Sequence, residues 1–149
     1  MQNPFDIQSA LLARHAQHVV LVHFPIGLFI TGVVFDLLAF WTKRRGLADA
    51  AYYDLLGAAV STLPVVVTGI LAWQFQLEGQ VLKGILKMHL ILGCLSSTVI
   101  IFVACTHFFY RRRKQPLPTH RIAVELAGLA LLSLTGHLGG FLSGVNGMG

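Results

Sequence analysis

Charge is what this sequence has least of: 11% of its 149 residues are Asp, Glu, Lys or Arg, while 55% are hydrophobic. A soluble domain carries about 25% charged residues, so a water-exposed globule is excluded. Acid is scarcer than base, with six Asp and Glu against eleven Lys and Arg. No carboxylate dyad, nucleophile–base pair or phosphate-binding loop occurs in a soluble-enzyme context, which removes the common enzyme chemistries. The two cysteines, Cys94 and Cys105, stand 11 positions apart in one apolar run. On a straight helix that is about 16 Å, too far for a disulfide, and both are expected to be buried small hydrophobes. No CxxCH occurs, so covalent haem attachment is excluded. The N-terminus lacks the basic stretch and small-residue cleavage site of a signal peptide, so the first apolar helix is expected to be retained. No internal repeat is visible beyond a general likeness of the helix starts, and there is no soluble linker.

What is present is apolar length. Four runs, at 18–41, 55–73, 88–110 and 122–142, alternate with short polar links. Each is about the 20 residues that a helix needs to cross a bilayer. The expected fold is all-α: a polytopic membrane protein built as an up-and-down four-helix transmembrane bundle. Residues 1–17 are expected as an outer interfacial segment, with Ile7, Leu11 and Leu12 as a short apolar stripe. The bundle itself takes 18–142, and 143–149 form an outward-facing tail.

The formal charge of +5 invites a nucleic-acid reading, but its placement argues against one. Eight of the eleven basic residues fall in two links: Lys43, Arg44 and Arg45 after the first run, and Arg111, Arg112, Arg113, Lys114 and Arg121 between the third and fourth. By the positive-inside rule both links are cytoplasmic, so both termini are expected on the periplasmic side of an inner membrane. The bilayer is then the principal partner and nucleic acid is not one.

Several residues interrupt the apolar runs. Pro25 disturbs the first turns of the first helix, leaving the carbonyl of Leu21 without its helical donor beside His23. Tyr52, Tyr53 and Asp54 are expected to open the second helix, and Pro64 to kink it. Thr62 and Thr68 can return their hydroxyls to nearby carbonyls, which makes them tolerable in lipid. Asp36 lies about 7 Å inside Trp41 by helical rise and needs a partner, with Arg121 or a residue of the third helix as candidates. Together with Asp54, Glu125, His107 and His120 it forms an inner polar layer. That layer reads first as a structural pin, and otherwise as a second haem site at His107 or a proton route.

The histidines carry the functional signal. In the up-and-down arrangement His23, His89 and His137 occupy a layer within roughly 8 Å of the outer hydrocarbon boundary, with His18 just above it. They come from three different helices, as a ligated centre requires. Gly27 lies four residues after His23, Gly93 four after His89, and Gly136, Gly139 and Gly140 flank His137. Positions four apart share a helix face, so space stands beside the first two imidazoles. A histidine next to a void suits a flat macrocycle held by axial imidazoles, which points to b-type haem. His89 with His137 is the first choice of ligand pair, with His23 replacing one or bonding a propionate. Three alternatives stay open. The imidazoles could hold zinc or copper, for which the glycines have no role. They could be interface residues of a structural or assembly subunit, with the glycines serving close helix packing. They could serve a transporter, which with four helices would need to oligomerise.

The segment HVVLVHFPIGLFITGVVFDLL, residues 18–38, resembles the opening signature of the bacterial predicted-membrane-protein family of unknown function 2231. His18, His23, Phe24, Pro25 and Asp36 match that signature. Thr68, Gly69, Ala72 and Trp73 resemble its second-helix element, His89 its third-helix histidine, and Gly136, Gly139 and Gly140 its closing glycines. Val19 stands where the family commonly has proline. The resemblance covers about residues 15–142. Members occurring fused to Rieske-type or cytochrome c-like domains imply a redox role. A periplasmic redox protein or a quinone would then be the partner, and a second copy of the chain is a further candidate.

Overall fold

The computed structural model describes residues 14–76 and 81–143. Most of the segment expected at the outer interface, and residues 144–149 of the tail, lie outside the described residues. Five helices make up the described chain: α1 Arg14–Leu21, α2 His23–Thr42, α3 Arg45–Gln76, α4 Gly84–Arg112 and α5 Arg121–Leu142. Four spans, Gln17–Thr42, Arg45–Phe75, Gly84–Arg112 and Arg121–Leu142, are long and apolar enough to cross a membrane. The first of them joins the end of α1 to α2. The break between these two helices falls at Val22, where Pro25 has no N–H to offer the Leu21 carbonyl.

The helices are longer than the apolar runs that announce them. The second opens at Arg45 rather than at Tyr52. Lys43 caps α2 in the left-handed conformation (φ 57°), its N–H bonded to the Ala39 carbonyl, so that only Lys43 and Arg44 separate the two helices. The 32 residues of α3 would span about 48 Å, more than the hydrocarbon of a bilayer. Hydropathy marks the part of a helix that sits in lipid and misses the part that continues into water. At the projecting end, Arg111 pairs with Asp49 at 2.6 Å and its guanidinium stacks 4.4 Å over the Tyr52 ring. Helix α3 continues through Pro64 without a break in its helical run.

Helices α2 and α3 pack as one hairpin and α4 and α5 as another. Contacts of α3 with α4 and of α2 with α5 close the bundle. The core is Phe29, Val33, Leu55, Ala58, Ile100, Val103 and Leu132. Two glycines permit the close approach. A Cβ on Gly32 would lie 2.9 Å from Leu55 Cγ, and one on Gly128 would lie 2.9 Å from both Phe29 Cζ and Val99 Cγ1. Small residues at such crossings let membrane helices pack where no hydrophobic effect separates helix from lipid. For the same reason outward faces stay apolar: Cys94 and Cys105 are exposed and unpaired, not buried as expected from their chemistry.

The hairpins follow one plan, a repeat that the sequence alone does not reveal. The buried residues of α2 are Pro25, Phe29, Gly32, Val33 and Asp36, and those of α4 are Ser96, Ile100, Val103, Ala104 and His107. Each member of the second set stands 71 positions after its counterpart in the first. In the returning helices Ala51, Leu55, Ala58 and Thr62 are buried, and Arg121, Glu125, Gly128 and Leu132 are buried 70 positions later. In the core the correspondence lives in burial and not in residue identity, so these positions leave little repeat to read.

Candidate functional site

Two polar sites occupy opposite ends of the bundle. At the end away from the basic links, His18 of α1 leans on α3. Its ring carbon Cε1 would lie 3.0 Å from a Cβ on Gly69, and its Nδ1 is 3.2 Å from Thr68 Oγ1. The Thr68 hydroxyl also lies 2.8 Å from the carbonyl of Pro64, and when it donates there its oxygen accepts from the imidazole. His89 of α4 leans on α5 in the same way. Its Cε1 would lie 3.1 Å from a Cβ on Gly139, and its Nδ1–H donates to the Thr135 carbonyl at 3.1 Å. Thr135 is a small hub, since its hydroxyl also meets Ser96 Oγ at 2.9 Å and donates to the Leu131 carbonyl at 2.7 Å. His18 and His89 are themselves 71 positions apart, and Gly69 and Gly139 are 70 apart. The two histidine–glycine contacts are thus the same contact made once in each hairpin.

His23 also donates through Nδ1, to the Val19 carbonyl at 2.7 Å, but it stays on its own stretch of helix and is exposed. His137 is exposed, its ring edge-on to Phe141 at 4.9 Å between centroids. It lies two residues from both Thr135 and Gly139, which face α4, so it points to the far side of α5. The packing does not bring His137 and His89 together. Gly27 and Gly136 border open space, with nothing within 4 Å of where a Cβ would stand, while Gly93 would make an ordinary 3.9 Å contact with Thr135 Cγ2.

Carbonyl oxygens only accept, so His23 and His89 carry a proton on Nδ1. In a neutral His89 ring Nε2 is then the lone-pair nitrogen, while His18 Nδ1 meets a hydroxyl that can serve as donor or acceptor. An imidazole ligand to a metal is held in this way, with its other nitrogen donating to a fixed oxygen. Sequence reasoning missed Thr68, Gly69, Ser96 and Thr135 as members of this site. A threonine in a membrane helix is explained by its own backbone bond, and here that bond is what orients the acceptor.

The inner site is a buried polar cluster. Arg121 Nε donates to Asp36 Oδ2 at 2.7 Å, which identifies the partner that Asp36 requires. Its Nη1 donates to the Pro118 carbonyl at 3.2 Å. His107 Nε2 and Glu125 Oε1 are 3.0 Å apart, and Arg121 Nε lies 4.0 Å from the same carboxylate oxygen. Glu125 is fully buried and its Oε2 has no hydrogen-bond partner among the described residues. Ligand atoms of Asp36, His107 and Glu125 lie within 4.8 Å of one another, close enough for a metal ion. Arg121, however, already places a permanent positive charge on Asp36. A cleft of about 30 Å³ beside the cluster is lined by Phe102, Thr106, His107, His120, Arg121 and Val124 among others.

A family described as predicted membrane protein (DUF2231) matches residues 14–149. Neither a curated protein nor a solved structure matches the chain.

Proposed function

Because the chain belongs to the DUF2231 family of predicted membrane proteins, we propose that it works within the bilayer as a small b-type cytochrome-like protein, binding haem near its outer face and passing electrons there. The observation that carries this reading is the shared placement of His18 and His89. Each imidazole has its Nδ1 within hydrogen-bond reach of a threonine on a neighbouring helix and rests on a glycine. Their equivalent places in the two hairpins make them the residues that would hold the haem, one from each half of the bundle. His23 and His137, turned outward, leave two imidazoles for a centre, which suits haem better than a four-coordinate zinc or a copper site. When bound, haem iron supplies a one-electron couple. Thr68 and Thr135 fix the ring planes, and Ser96 braces Thr135. By the positive-inside rule the basic end is cytoplasmic, which puts this pair at the periplasmic side of a bacterial inner membrane, with a periplasmic redox protein or a quinone as electron partner.

The test is a dithionite-reduced minus oxidised spectrum of detergent-purified protein, with iron and zinc measured on the same sample. A b-type α band that is lost in His18→Ala and His89→Ala and kept in His137→Ala is the expected result. No band after haem supplementation, or loss in His137→Ala alone, overturns it. The second reading also rests on these bonds: they tie α1 to α3 and α4 to α5, so the histidines could serve as helix clamps. In that case the alanine variants lower stability and bind no cofactor at any stage.

A further inference from the structure

The inner cluster contains a base, two acids and one permanent cation, and its arithmetic is uneven. Arg121 and Asp36 cancel as an ion pair at 2.7 Å. The remaining pair, His107 and Glu125, is neutral when it holds one added proton and negative without it. Both side chains are buried, at 3% and 0% exposure, where an unbalanced charge is expensive. A divalent cation between Asp36, His107 and Glu125 would meet the Arg121 guanidinium, and with neutral His107 it would leave a net positive charge. A single proton leaves none.

We propose that His107 and Glu125 form a reversible proton-binding site that loads from the basic end of the bundle. His107 lines the cleft shared with Thr106, His120 and Arg121, which is large enough to admit about one water. A proton relayed through that water adds to His107 Nδ1, the water taking a replacement proton from the solvent at the basic end. The Nε2 proton passes along the 3.0 Å bond to Glu125 Oε1, and the bond then runs from the carboxyl O–H to Nε2. His107 returns to neutrality with its tautomer reversed, and Glu125 becomes an uncharged carboxylic acid. Unloading reverses each transfer, and no other bond is broken.

The charged groups facing the pair come from every packed element. Asp36 comes from α2, His107 itself from α4, and Arg121 from one turn earlier on α5. On α3, Asp54 touches the Gly32 position one turn from Asp36. His120 stands at the cleft. Glu125 Oε1 alone is bonded to His107, which leaves Oε2 outside the pairing.

The chain has only two glutamates, Glu78 and Glu125, so carboxyl-¹³C glutamate labelling isolates the site. Infrared spectra of the labelled full chain in lipid, titrated over the pH range in which it stays folded, should show an isotope-shifted carboxylic-acid carbonyl band that gives way to carboxylate as pH rises. The band should persist in Glu78→Gln and vanish in Glu125→Gln. His107→Gln keeps a donor for Glu125 but cannot relay, so deuterium exchange of the band should slow on the order of 100-fold. A labelled Glu125 that stays carboxylate throughout, or stays acid throughout, overturns the proposal. The wild-type titration alone decides this if the variants fail to fold.

Discussion

Removing Arg121 should be among the most damaging single changes available to this protein. Its side chain is 8% exposed and Asp36 is 2% exposed, and their contact at 2.7 Å joins α5 to α2. Arg121→Met leaves the Asp36 carboxylate buried without a counter-charge, which typically costs 3–5 kcal/mol, about a third or more of the stability of an ordinary domain. Adding Asp36→Leu removes the stranded charge along with the desolvation penalty of the pair. The double variant should therefore recover most of the loss, though not all of it, because Glu125 also loses the guanidinium 4.0 Å away and Pro118 its donor. A coupling energy of about 2–3 kcal/mol is expected between the two sites. Reversible unfolding in mixed detergent micelles, run as a double-mutant cycle with Arg112→Met as a surface control, measures it. If Arg121→Met unfolds no more easily than the control, or the double variant is no better than the single, the account of this pair as a buried and mutually dependent ion pair is wrong.

Gly128→Ala should destabilise the bundle by about 1–3 kcal/mol, because its new methyl meets Phe29 and Val99 at 2.9 Å, and the same unfolding assay reads it. Gly139→Ala should displace the His89 ring by a few tenths of an ångström and weaken its bond to Thr135, whereas Gly136→Ala meets open space. Under the proposed haem reading, a comparison of haem retention in the two variants reports on the ring's position. Asp49→Asn should leave unfolding indistinguishable from wild type, since its ion pair with Arg111 is solvent-exposed. Cys94 and Cys105 should resist a water-soluble maleimide in bilayers and react after denaturation in detergent. Ready labelling of Cys94 in the intact membrane protein would place α4 at the wrong depth.

The architecture was legible because lipid demands long apolar helices, and 18–41, 55–73, 88–110 and 122–142 supply them. What remained hidden is whatever depends on rotation about a helix axis. Asp36 announces that it needs a partner, and Arg121 was among the few residues able to provide one. His18, His23, His89 and His137 announce a layer at one end, but height does not say which way a ring points. Two of the four turn to neighbouring helices and two turn out. In a soluble helix the hydrophobic stripe would have resolved this. In a membrane helix every face is apolar, so Gly27 beside open space and Gly139 beneath an imidazole look alike in the sequence. The inner pairing of His107 with Glu125 needed the crossing of α4 and α5, which no spacing along either helix encodes.

The common plan of the two hairpins bears on why a single chain was needed. A dimer of identical hairpins would set the same residue against itself at every position near its axis. In a dimer of the first hairpin, aspartate would stand where Asp36 and His107 now stand, and alanine where Ala51 and Arg121 now stand. Two copies of Asp36 would repel with no cation between them, because Arg121 belongs to the other hairpin. Joined in one polypeptide, the halves are free to differ where they meet, so an acid can stand at one position and a base at its equivalent while the shared packing stays unchanged. Likeness survives at the outer end, where the two histidines rest on two glycines. Difference has accumulated at the inner end, where likeness would be electrostatically untenable.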